Sequence, residues 1–262
     1  MTSITYISTD LRGDVLVITL QRSDKLNAWN LPMREQLSSA LRAADADADI
    51  AAVVLTGAGE KSFCAGADIG EIARHALPSD VKNSLDSWRR FYASIRGFGK
   101  PLVAALNGLA VGSGFQIALL ADFRVAHADV RIGQVEINSG IPSITGSLIM
   151  SLRIGTARAR ELSLSGRTLD STEALALGLI DRVVPREQVL REAIDVAAML
   201  GSKSSTAVRL TKEWFRRWEQ SHIDAAFEFA EAAQIAALEH GEMSDRTRQF
   251  VNRKNGSERI DE

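Results

Sequence analysis

Cysteine is almost missing from this chain: Cys64 is the single one in 262 residues. One thiol excludes an intrachain disulfide and a cysteine-based zinc site, so a reducing compartment is expected, and the cytoplasm with it. An excess of basic charge is missing too. With 31 Lys+Arg against 33 Asp+Glu the net charge is −2, which gives no footprint for nucleic acid. The first fifteen residues carry Asp10, Arg12 and Asp14 and lack an apolar h-region, so no secretory signal is expected. One long uncharged run exists, the 21 residues from Pro101 to Ala121. That length could span a bilayer, but Asn107, Gly108, Gly112, Ser113, Gly114 and Gln116 interrupt it. A buried strand, turn and helix accounts for it better, and no membrane partner is expected.

What is present is an ordinary globular composition, 45% hydrophobic and 24% charged. Its length suits one large domain or a core with an appendage. Ile4–Ser8 and Val15–Leu20 alternate or run apolar around Gly13, which predicts a hairpin. Leu31–Ala44 has helical spacing and Ala51–Thr56 is a short buried strand, so strand, helix and strand imply a βαβ unit with parallel pairing. Ser87–Phe98 reads as a helix, Leu102–Leu106 and Asp122–Ala126 as strands, and the alternation continues to Arg182–Val184. After Pro185 the chain is helical, through Val189–Leu200, Ala207–Trp218 and Ile223–Leu238. The aromatics of the last two need a cover, either core or subunit interface. Met243–Glu262 is polar and basic in its middle, which suits a solvated face.

Two glycine-containing stretches are not what they resemble at first sight. Gly57–Ser62 lacks the glycine that a phosphate loop places directly before its lysine, since Glu60 stands there. Gly112-Ser113-Gly114 lacks the third glycine of a dinucleotide fingerprint, which would fall at Ile117. The latter does open an apolar helical run, where free backbone N–H groups favour negative charge. Ser113 with Gln116 fits an S-x-x-Q capping box. A cap explains both residue types but not the two flanking glycines. Glu136, between Val135 and Ile137, reads either as an exposed loop carboxylate or as a desolvated functional one. Phe63–Ile69 is a run of small residues that lets a ligand approach the backbone, with Asp68 suited to a first helical turn. Cys64 reads as a buried thiol, since apolar neighbours raise its pKa and no histidine is near in sequence.

Together these stretches resemble the enoyl-CoA hydratase/isomerase (crotonase) superfamily. The resemblance rests on Arg22–Ala28 (family R-P-x-x-x-N-A), Phe63–Ile69 (F-x-A-G-A-D-I/L), Asn107-Gly108 with Gly112–Gly114 (N-G-x-x-x-G-G-G) and Gly133–Glu136 (G-x-P-E). It implies an α/β fold, a spiral of ββα repeats over residues 1–200, with a helical C-terminal trimerisation region over residues 201–262. The implied partners are an acyl-CoA thioester and further copies of the chain, as a trimer or a dimer of trimers. Motif position assigns the oxyanion hole to the N–H groups of Ala67 and Ser113, flanked by Gly66 and Gly112. CoA would lie along Lys25, Leu26, Ala28, Ala65, Asp68 and Ile69. Two N–H donors stabilise an enolate oxygen without a metal, so no metal or redox cofactor is expected, and CoA enters as part of the substrate.

The departures from the family pattern carry information. Ser113 replaces the middle glycine, and Ser23 and Val135 replace prolines. Gln116 stands where hydratases of this family place the first of two glutamates, and Glu136 stands at the second. An amide cannot exchange a proton near pH 7, so Gln116 can position but not act as acid or base. One carboxylate suits removal of a proton α to the thioester and its return elsewhere, as in a Δ3 to Δ2 double-bond shift. Thioester hydrolysis, decarboxylation or dehalogenation on the same scaffold, and a non-catalytic acyl-CoA- or RNA-binding role, are the alternatives.

Overall fold

A computed structural model describes residues 4–74 and 76–241; the basic stretch Met243–Glu262 lies outside them. The chain opens with a hairpin, β1 (Ile7–Arg12) and β2 (Val15–Leu20), paired from Arg12↔Val15 to Ile7↔Leu20. Its two-residue Gly13-Asp14 turn fixes the register, so β1 runs on to Arg12 rather than ending at Ser8. α1 (Leu31–Ala46) follows, its first turn closed by Asn30 Oδ1, which accepts from Met33 N–H. Three ββα repeats come next. The first is β3 (Ala52–Gly57), β4 (Ser62–Cys64), α2 (Ile69–Ile72) and α3 (Pro78–Arg96). The second is β5 (Leu102–Leu106), β6 (Leu109–Val111) and α4 (Ser113–Leu120). The third is β7 (Phe123–Ala126), β8 (Ile132–Gly133) and α5 (Thr145–Ser165), which breaks at Gly155. α6 (Ser171–Ala176), β9 (Arg182–Val183), α7 (Val189–Gly201) and α8 (Ser205–Glu239) complete the described chain.

Each repeat gives its first strand to one sheet and its second to another. The large sheet runs β1-β2-β3-β5-β7-β9, parallel except for β1, and the small one runs β4-β6-β8, all parallel. Period-two alternation explains how the large sheet is covered on both faces. Val15, Val17, Ala52, Val54, Val103, Ala105 and Val125 meet Val189, Ala193, Val196 and Ala197 of α7. Ile18, Leu20, Val53, Leu55, Leu102 and Ala104 share the opposite core with Met33, Leu37 and Leu41 of α1 and Phe91, Tyr92 and Ile95 of α3. Each Val, Leu, Ile, Met or Phe among them contributes about 1.5–3 kcal/mol of burial, and each alanine less.

Three sequence expectations change in detail. The uncharged run Pro101–Ala121 contains two strands and a helix, and among the described residues no helix is long and apolar enough to cross a membrane. α3 begins at Pro78, not Ser87, because proline is pre-set for a first helical turn. The two C-terminal helices are one: Glu219–His222 holds neither proline nor glycine, and the helix passes through it unbroken.

Candidate active site

The small sheet positions the candidate site. β4, β6 and β8 run parallel, and past their C-terminal ends the chain enters Ala65–Ala67, Gly112-Ser113 and Gln134–Glu136. These three segments line one cleft of about 140 Å³. Ligands of parallel α/β sheets characteristically bind outside such strand ends.

Two residues lining this cleft, Ala67 and Ser113, have backbone N–H groups with no hydrogen-bond partner among the described residues. Trp29 N–H donates to Gly66 C=O and Asp68 N–H to Trp29 C=O, a parallel bridge that passes over Ala67 and leaves its N–H unused among the described residues. Ser113 is the first residue of α4, so its N–H has no carbonyl one turn earlier to bond. The two are neighbours, since a Cβ placed on Gly66 would fall 3.4 Å from Ser113 N. The expected capping box does not form: α4 is capped by Gly112, which has no side chain, and Ser113 Oγ is buried without a partner among the described residues. The flanking glycines have other reasons. Gly112 holds φ +56, and a Cβ there would meet the Glu136 carboxylate at 3.2 Å, while one on Gly114 would lie 2.2 Å from Cys64 O.

Gln116 points inward, not back to the cap. Its Nε2 donates to Glu136 Oε1 at 2.8 Å and to Gln134 Oε1 at 3.2 Å. Its Oε1 accepts from Tyr92 OH at 2.5 Å and Thr145 Oγ1 at 3.1 Å. An ionised carboxylate only accepts, so Nε2 must be the atom that faces Glu136. Glu136 begins a 3₁₀ turn, Glu136–Ser139, with two residues between it and the end of β8. The residue is half-buried, but its Oε2 is fully buried and has no hydrogen-bond partner among the described residues. Burial pushes its carboxyl up to about 7, and the hydrogen bonds it accepts offset only part of that rise. Among the described residues, no lysine, arginine or histidine lines the cleft to counter its charge.

The structure therefore gathers eight of the twelve expected site residues around the cleft: Ala65, Gly66, Ala67, Ile69, Gly112, Ser113, Gln116 and Glu136. The other four, Lys25, Leu26, Ala28 and Asp68, lie outside it. Lys25 is exposed at the end of a 3₁₀ turn, and Leu26 C=O accepts from Ala65 N–H at 2.9 Å, which sets this turn against the Ala65 rim. Arg22 Nη1 donates to Ala28 C=O and Arg22 Nη2 pairs with Asp68 at 2.6 Å. Asp68 also caps α2 through Gly70 N–H, so its side chain is occupied structurally. Cys64 is fully buried and burial pushes its thiol far up, which makes it inert.

Sequence reading missed Tyr92, Thr145, Gln134 and Ser143, all lining the cleft. Tyr92 occupies an apolar position of α3, and its ring packs edge-on to Trp88 and Phe227, 6.0 and 5.6 Å away. Buried hydroxyls normally find partners, so the signal lay in polar residue types at core spacing. Among the described residues, Ser113 Oγ, Gln134 Nε2, Glu136 Oε2 and Ser143 Oγ are buried, unpartnered and all on this one cleft. No cluster of three or more His, Cys, Asp or Glu is arranged to hold a metal among those residues.

A family model described as enoyl-CoA hydratase/isomerase matches residues 10–256. The chain belongs to the enoyl-CoA hydratase/isomerase family. A short-chain-enoyl-CoA hydratase of Clostridium acetobutylicum is 32% identical over 243 residues, covering 92% of this chain and 93% of that protein. A crotonyl-CoA hydratase of Syntrophomonas wolfei is 31% identical over 211 residues, 80% of this chain and 81% of its own. Among solved structures, an enoyl-CoA hydratase from Bacillus anthracis is 31% identical, with a TM-score of 0.77 over 96% of this chain and 97% of that one. Another from Bacillus halodurans reaches a TM-score of 0.85 at 25% identity, over 94% and 100%. The mixed α/β fold with its helical C-terminal part is thus that of the enoyl-CoA hydratase/isomerase family.

Proposed function

We propose that this family member moves a proton on an enoyl-CoA thioester with Glu136 as its single acid/base. The observation that carries the reading is Glu136 Oε2, buried and, among the described residues, unpartnered on the same cleft as the unused N–H groups of Ala67 and Ser113. In a 3-enoyl thioester, Oε2 takes a proton from C2, and the electron pair moves onto the thioester oxygen. Ala67 and Ser113 N–H hold that oxygen as an enolate; each such donor is worth about a hundred- to a thousandfold in rate. Glu136 then returns the proton at C4, and the product is the 2-enoyl thioester. No second carboxylate is required, and Gln116 is the polar group that positions the first. The CoA portion runs out past Ala65 along the Lys25–Ala28 turn.

Hydration of a 2-enoyl thioester is the second reading, favoured by the hydratase names of the relatives. Glu136 would take a proton from water as its oxygen adds to C3 and deliver that proton to C2. A panel of short- to medium-chain 2-enoyl-, 3-enoyl- and 3-hydroxyacyl-CoA thioesters, read by product mass and ultraviolet absorbance, separates them. A double-bond shift leaves mass unchanged with a new absorbance, whereas hydration adds one water. Absence of both across the panel would overturn the proposal.

A further inference from the structure

Three helices converge on the carboxylate that begins the turn after β8. Gln116 comes from α4, Tyr92 from α3 and Thr145 from the first turn of α5. A side-chain amide can accept two hydrogen bonds at oxygen and give two at nitrogen. Gln116 uses all four: Tyr92 OH and Thr145 Oγ1 on Oε1, Glu136 Oε1 and Gln134 Oε1 on Nε2. Turned over, the amide would press its oxygen against two other acceptor oxygens.

We infer that Tyr92 and Thr145 are positioning residues for the proton transfer: by filling Gln116 Oε1 together, they hold Nε2 on Glu136 Oε1 and leave Oε2 alone to face substrate. The inference rests on the reading of Glu136 as the acid/base. Donors on an amide oxygen also polarise its N–H groups, which strengthens the bond to the carboxylate beyond. Without the two hydroxyls, Gln116 Oε1 would be a buried carbonyl lacking partners, free to swing away and take Nε2 with it. The carboxylate would then lose a donor that favours its ionised form. Few other charges compete for control of this group. Among the described residues, Glu136 and Tyr92 are the titratable ones that line the cleft, and the charges of Arg34 and Cys64 also act on Tyr92.

The test does not depend on knowing the substrate. Isotope-edited difference infrared spectra, wild type minus Glu136→Gln, follow protonation of this one carboxyl from pH 5 to 9. Thr145→Val and Tyr92→Phe keep shape and remove a hydroxyl each. Both, and their double variant most, are expected to move the Glu136 midpoint upward from about 7, by about one pH unit in the double variant. Thr145→Ser restores the hydroxyl and is expected to return the midpoint to the wild-type value. On 3-hexenoyl-CoA, or 2-butenoyl-CoA if the protein hydrates, the acid limb of kcat/KM should shift by the same amount, with KM little changed. A midpoint that stays put in variants with unaltered melting temperature overturns the positioning claim. So does a uniform loss of turnover at every pH. If Glu136→Gln retains turnover, the acid/base reading fails, while the infrared shift still reports on the positioning.

Discussion

Gln116 Nε2 donates to Glu136 Oε1 over 2.8 Å, and Oε2 of the same carboxylate has no partner among the described residues. The two oxygens are thereby made unequal, one tethered and one available. Glu136→Gln keeps the shape and removes proton exchange, so kcat should fall about a hundred- to ten-thousandfold. Affinity for a CoA thioester, measured by calorimetry, should change little, because the backbone donors remain. Turnover within about threefold of wild type would be too small a loss for a general base.

A carboxyl raised to about 7 is ionised, and able to accept a proton, only above that pH. Activity should therefore climb through neutrality. Stability should do the reverse. Between the unfolded value of 4.5 and about 7 the folded chain holds a proton that the unfolded chain has released. Folding is therefore weakened as pH rises through this window, by up to about 3 kcal/mol. Glu136→Gln removes the effect. Its melting temperature should exceed that of wild type at pH 8 and lie close to it at pH 4, as scanning calorimetry would record; equal melting at pH 8 would argue against a desolvated carboxylate.

Gln116→Glu sets a second carboxylate where Nε2 now meets Glu136 Oε1 at 2.8 Å. Two such groups cannot both ionise near neutrality, so they should share one proton and titrate as a pair with widely separated midpoints. Tyr92 and Thr145 can still donate to the substituted side chain. Hydration of 2-butenoyl-CoA should rise relative to wild type, the gain being read from the loss of enoyl absorbance. No gain in a variant that folds and binds thioester would show that more than this residue separates the two chemistries.

On α8, Leu210, Trp214, Phe215 and Trp218 are 51, 64, 54 and 56% exposed. Leu210, Trp214 and Trp218 recur one turn apart with Phe215 beside them, a stripe too apolar to be left to water. A trimer or a pair of trimers is the expected state, and light scattering at micromolar concentration should report it. Trp214→Glu with Trp218→Glu should lower the mass; a wild-type monomer would contradict the expectation.

The backbone was far more legible in the sequence than the site's polar wiring. Runs such as Ala52–Gly57 and Leu102–Leu106 are buried on both faces, and their β-branched and small residues announce this. The family motifs brought Ala67, Ser113, Gln116 and Glu136 to one cleft. Spacing alone misled at Ser113, where a serine three residues before a glutamine fits a cap. The helix starts one residue too early for that, and the glutamine is drawn inward by acceptors distant in sequence, Gln134 and Glu136. Tyr92 and Thr145 lie 24 and 29 residues from Gln116, and no local pattern records that they meet there. Asn27 and Asn107, motif residues both, prove to be staples, binding the loop between β3 and β4 through Ala58, Ser62, Gly57 and Gly59 carbonyls.

In the small sheet, β4 leads to Ala67, β6 to Ser113 and β8 to Glu136, so order along the chain is also order across the cleft. On the proposed assignment, substrate activation is vested in the first two strand ends and proton handling in the third. A change confined to the loop after β8 can rewrite what happens to the activated thioester while the anchorage of its carbonyl stays intact. Such a separable arrangement is a ready platform for divergence: one binding grip, with the reaction exchanged at a single strand end.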